Sequence, residues 1–175
     1  MFIMGYDIRP AAKLNKARLG GADLDAAKLA GAILTHADLR EVSLRSADLT
    51  GADMRDAQLT RSYMPGANMA GARLSRAHMA EANMYGVSLR RATVDEADLT
   101  GATLQAAVLA GANLRGSKFV GANLHWADLR DTDVRGADFS RADMASARLR
   151  GARYDGATRL PEGVTPQRRG MRRAD

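Results

Sequence analysis

From Leu14 to Tyr154 every fifth residue is apolar, with no insertion or deletion: eighteen Leu, six Met, two Phe, two Val and one Tyr. Two residues before each of these centres stands a small residue. It is Ala in twenty-four repeats and Val42, Ser62, Val87, Ser117 or Thr132 in the others. A period of five suits neither ordinary element. On an α-helix each step of five advances about 140° and smears the leucines around the surface. On one flat strand the odd spacing throws successive leucines onto opposite faces. The pattern therefore predicts a chain that turns a corner once per pentapeptide. The small and large residues, two apart in an extended segment, both point inward.

The number of walls per turn follows from the charges two residues after each centre. At a lag of twenty the pairs Glu41–Arg61, Arg61–Glu81, Asp56–Arg76 and Arg76–Glu96 are all opposite in sign. At a lag of fifteen, Glu41–Asp56, Arg61–Arg76, Arg76–Arg91 and Glu81–Glu96 are all alike. Stacked coils bring side chains within about 4.8 Å, where opposite charges are favoured and like charges are not. Four-sided coils are predicted.

Runs such as ADLTGATLQ, AGANLRGSKFVGANLHWADLR and RGADFSRADMA resemble the pentapeptide-repeat family and its A(D/N)LXX pattern. The resemblance implies an all-β fold, a right-handed quadrilateral parallel β-helix of about seven coils with four pentapeptides each. Residues 1–13 are expected to form an N-terminal cap segment, 14–158 the repeat body, and 159–175 a C-terminal cap with a flexible Arg-rich tail. Phe2, Ile3 and Met4 are expected to cover the first coil, and Leu160–Pro161 to close the last. Gly two residues after the centre, as at Gly51 and Gly101, eases a corner that strains other residues. Asp or Asn precedes the centre thirteen times, placed to bond nearby corner amides.

Composition narrows the function. The chain has 175 residues and no cysteine, so disulfides and thiolate metal sites are excluded. His36, His78 and His125 fall on three different walls and predict no metal site. No G-x-S-x-G, P-loop or G-x-G-x-x-G context occurs, and a packed axis leaves no ligand pocket. The reading is therefore a non-enzymatic protein without cofactors. No stretch approaches the roughly 20 apolar residues needed to span a bilayer, so a cytoplasmic protein without membrane contact is expected. The net charge of +6 is unevenly placed. The body holds nineteen basic and seventeen acidic residues, a net of +2, whereas five Arg face two acids from residue 159 onward.

The wall centred on Leu24, Leu44, Met64, Met84, Leu104, Leu124 and Met144 carries no charge over four consecutive coils. Tyr63, Pro65, Tyr85, Gln105, His125 and Trp126 project from it, with Pro65, Tyr85, Gln105 and His125 in one column. Tyr and Trp with few charges are the composition of interface cores, and these six residues form a candidate protein interface. Arg90, Arg91, Arg130, Arg148 and Arg150 share another wall, interrupted by Asp128 and Asp131. Arg168, Arg169, Arg172 and Arg173 in the tail are candidate contacts for an anion or nucleic acid, the lesser reading. The family resemblance implies two further partners, a second copy in a homodimer, and DNA gyrase or topoisomerase IV, which some members protect from quinolones or toxins. A duplex mimic presents a continuous acidic surface, however, and this body is nearly balanced.

Overall fold

A computed structural model describes residues 1–174. Parallel bridges join residues twenty apart along the whole body, from Lys13–Ile33 to Asp133–Arg153. Twenty residues are four pentapeptides, so the chain is a four-walled parallel β-helix. Phe119 and Phe139, equivalent residues on successive coils, stack with ring centroids 4.8 Å apart and planes 9° from parallel. That separation is one strand spacing. Every centre from Leu14 to Leu149 is buried, and so is each small residue two before it. At Ser62, Ser117 and Thr132 the buried hydroxyl donates to the carbonyls of Leu59, Val94 and Leu129 respectively. No buried side-chain polar atom among the described residues lacks a partner.

The fate of the backbone amides explains the rest of the repeat, because a buried N–H without an acceptor is costly. In the pentapeptide 102–106, Thr103 donates back one coil to Ala82, while Leu104 and Ala106 donate forward to Asn123 and His125. Ala102 closes a tight turn onto Leu99. The amide after the centre is left over. All thirteen Asp or Asn residues before a centre use Oδ1 to accept it, from Asp23 with Asp25 to Asp143 with Ala145. These polar residues are structural.

Corners are more demanding than the glycines suggest. Every fifth residue from Ala11 to Gly151 has a positive φ, at twelve glycines and seventeen other residues. Left-handed backbone costs a non-glycine residue roughly 1–2 kcal/mol. It persists because the corner amide completes the inter-coil ladder, as Arg61 does on Ala80 and Ala106 on His125.

The ends depart from expectation. Strand β1 (Phe2–Ile3) pairs antiparallel with β2 (Tyr6–Asp7), making a hairpin rather than a plug. Ile8 is buried and Ile3 and Tyr6 pack against the core, but Phe2 and Met4 are 76% and 60% exposed. The alternation of a two-residue strand sends Ile3 inward and Phe2 outward. At the other end Arg159 pairs with Asp138, twenty-one residues earlier. The extra residue is absorbed in a turn where Asp155 Oδ1 accepts the amides of Gly136, Ala157 and Thr158.

The Arg-rich segment expected to be a flexible tail packs back onto the last coil. Strand β4 (Arg172–Arg173) adds in parallel to β3 (Arg153–Tyr154), Gly151 donates to the Gly170 carbonyl, and Met171 is buried. The open edge of the last coil offers unpaired backbone groups and an apolar centre, and the chain returns to satisfy both.

Candidate functional site

The wall singled out above is a continuous surface. Tyr63, Asn83, Thr103, Asn123 and Asp143 form one bridged column. The neighbouring column runs through Pro65, Tyr85, Gln105 and His125, whose carbonyls accept the corner amides of Ser46, Gly66, Gly86 and Ala106. Trp126 stands at the adjoining corner. Tyr63, Tyr85 and Trp126 are 43%, 52% and 59% exposed, while Pro65, Gln105 and His125 are half-buried. Asn83 and Asn123 spend their acceptors on the amides of Tyr85 and His125, which fixes the backbone beneath the exposed rings.

Trp126 is the unusual member. It occupies a left-handed corner at φ 59°, where the other non-glycine residues of the body are Ala, Ser, Lys, Arg, His, Asp and Glu. Its ring tilts against His125 with centroids 4.3 Å apart. A large apolar side chain held outward in strained backbone does nothing for the core.

The basic residues are distributed differently from a single arm. Arg90, Ala110, Arg130, Arg150 and Gly170 share a column on the next wall, their carbonyls accepting the amides of Gly71, Arg91, Gly111, Asp131 and Gly151. Arg168 and Arg169 fold back against Arg148 and Arg150 beside a cavity of about 370 Å³. Arg172 and Arg173 lie instead in β4, after the buried Met171 in the chain. The four tail arginines therefore serve two places.

Several charges are neutralised locally. Arg40, Arg55, Arg130 and Arg135 each clamp the carboxylate two residues before them through Nε and Nη2, at 2.6–2.8 Å. Hydrogen bonds from these guanidinium groups hold Asp38, Asp53, Asp128 and Asp133 below the usual carboxylate range, against the opposing effect of burial. The sequence carries this signal as Asp-X-Arg straddling a centre, which periodicity alone did not reveal. Between coils, Arg61 pairs with Glu81 and Arg76 with Asp56 at 2.8 Å. Each chooses one of the two partners expected at a lag of twenty. His36, His78 and His125 stay apart, and no group of His, Asp and Glu among the described residues could hold a metal. Among the described residues no helix is long and apolar enough to cross a membrane.

The sequence profile described as Pentapeptide repeats matches in eight copies over residues 17–56, 52–91, 97–136 and 122–157. No curated protein matches. Among solved structures, the chain is 30% identical to HetL, a pentapeptide repeat protein involved in heterocyst differentiation regulation in the cyanobacterium Nostoc sp. strain PCC 7120. The match covers 93% of this chain and 83% of that one, with a TM-score of 0.47. QnrB1, a plasmid-mediated fluoroquinolone resistance protein, is 17% identical over 97% of this chain and 88% of its own, with a TM-score of 0.70. A third, alr5209 from Nostoc, is 32% identical over 57% of this chain and 86% of that one, with a TM-score of 0.39.

Proposed function

The chain belongs to the pentapeptide-repeat family, and on that premise we propose that it is a non-enzymatic scaffold whose uncharged wall docks a protein partner. The observation that carries the reading is Trp126, 59% exposed beside His125 on a wall uncharged over four coils, with Tyr63 and Tyr85. The partner is a foreign protein with a concave or loop-bearing surface rather than a second copy. Four coils give a wall about 19 Å long and, at three extended residues, about 10 Å wide. Two such rods meeting flat cover only a few hundred Å² each, against ~800 Å² per partner in a standard interface. A concave partner reaches the neighbouring corners as well. We take the winding to be right-handed, with about seven coils, and the location to be the cytoplasm, as the family resemblance and the sequence imply.

A protein retained by the wild type should be released by Tyr85→Asp with Trp126→Asp. It should remain bound to Thr93→Asp with Arg115→Asp, which alters the opposite wall. Retention by the first variant, or equal loss from both, would overturn the reading. Sedimentation that shows a dimer dissolved by the first variant would identify the partner as a second copy instead. A second reading, topoisomerase protection, draws on the fold shared with QnrB1. A gyrase supercoiling assay with and without the protein decides it, and no effect at micromolar concentration ends it.

A further inference from the structure

We propose that the concavity between the last full coil and the returning C-terminal segment is a site for a compact oligophosphate anion. Arg130, Arg148, Arg150, Arg168 and Arg169 line it, over a floor formed by the chain at Ala147–Leu149. The nearby acids are Asp128 and Asp131, so five positive charges meet two negative ones. Asp128 is already engaged. It takes two bonds from Arg130 and lies 3.9 Å from Arg148 Nη1. Arg169 gives one nitrogen to the Met144 carbonyl. Arg150 and Arg168 make no ion pair or side-chain hydrogen bond with any described residue. They are the free forks of the site.

The arrangement is assembled against electrostatic repulsion. Arg150 stacks one coil beyond Arg130, and like charges on neighbouring strands are unfavourable. The chain then brings two more arginines to the same place. It does so through the backbone, by the Gly151–Gly170 hydrogen bond and the pairing of Arg153 with Arg172. Gly170 turns the chain at φ 69° and lies against Arg150, where an added Cβ would make only an ordinary contact, 3.6 Å from Cα. A site that gathers excess cations on a rigid frame gains stability when an anion binds to the folded state.

The chemistry selects phosphate. Guanidinium groups bind phosphate oxygens through paired N–H donors, and several forks converging on one space suit neighbouring phosphate groups better than a lone carboxylate. The extent of the cluster favours a compact anion over a polymer. The row of arginines is interrupted along the wall, because Ala110 separates Arg130 from Arg90. Arg90 lies three coils from Arg150, about 14 Å away. No basic stripe continues for a nucleic-acid backbone to follow. The site is on a different wall from the proposed docking surface and does not depend on it.

The probe is sodium tripolyphosphate, titrated calorimetrically into the full chain at about 150 mM salt, where diffuse surface attraction is screened. One-to-one binding and a rise in melting temperature on adding the anion are expected. Arg150→Gln with Arg168→Gln should weaken binding at least about tenfold, since it removes the two uncommitted forks. Its melting temperature without ligand should hold or rise, which separates lost binding from lost folding. Arg90→Gln with Arg91→Gln, on the same wall but outside the cavity, should leave affinity within about twofold. Three results would overturn the proposal: no binding of tripolyphosphate, equal weakening by both double variants, or a single-stranded DNA 20-mer that binds and is not displaced by tripolyphosphate.

Discussion

Ala106 sits at a corner with φ 58°, and its amide donates to the His125 carbonyl at 2.9 Å. Replacing it by glycine keeps that bond and removes the clash that left-handed backbone imposes on a Cβ, roughly 1–2 kcal/mol. Glycine is also freer in the unfolded chain, which subtracts about 0.5–1 kcal/mol. The net expectation is a stabilisation of about 0.5–1 kcal/mol. Gly101 provides the converse. It has φ 67°, and an added Cβ would meet only Glu81 Cγ, at 3.7 Å, an ordinary contact. Gly101→Ala should therefore destabilise through the backbone alone, by about 0.5–1 kcal/mol. Urea unfolding followed by circular dichroism should move the midpoint in opposite directions for the two variants, at unchanged slope. Two shifts of the same sign would refute the reasoning, as would two indistinguishable from zero. Either result would mean that the corners are not strained and that the glycines serve another purpose.

Three further expectations can be checked by simpler measurements. Phe119→Ala opens a void beneath the ring of Phe139 and should cost ~3–5 kcal/mol. Calorimetry should then show a melting temperature lower by roughly 6–20 °C. Because Asp38, Asp53, Asp128 and Asp133 are depressed in the folded state, their contribution is present above the unfolded carboxylate value near ~3.9. It is lost as pH falls through the lower folded values, so acid titration of stability should show a plateau above about pH 5 and a decline below about pH 4. Asp128→Asn with Asp133→Asn should flatten that decline, and an unchanged slope would count against the clamps. Truncation after Leu160 removes Gly170 and Met171 from the last coil. Hydrogen exchange at Gly151 should accelerate strongly, and an unaltered rate would show that the segment does not cap the rod.

Much of this was legible from side chains alone, because stacking makes distant residues predictable neighbours. Arg61 and Arg76 meet partners one coil away, the apolar centres from Leu14 to Leu149 are all buried, and each Asp or Asn before a centre bonds a local amide, the one just after the centre rather than the corner amide expected. Other features were hidden. Glycines mark only some corners, and residues such as Arg61, Glu81 and Trp126 conceal an equally left-handed backbone. Nothing in their identity announces the conformation, since closure of the coil imposes it. The N-terminal trio failed as a plug because the short hairpin, unforeseen in the sequence, directs Ile3 and Phe2 to opposite sides.

A strict five-residue repeat, with opposite charges at a lag of twenty, determines the four-walled core, its twenty-residue stacking and the column in which each outward side chain stands. The repetition buries every centre and keeps every ladder continuous, and the charges choose four walls over three. Where the repetition stops, that constraint lapses. The extra residue before Arg159, the return of Gly170 onto Arg150 and the gathering of five arginines were settled only in three dimensions. There the open backbone edge and the exposed apolar end of the last coil draw the chain back over charges that sequence order kept apart.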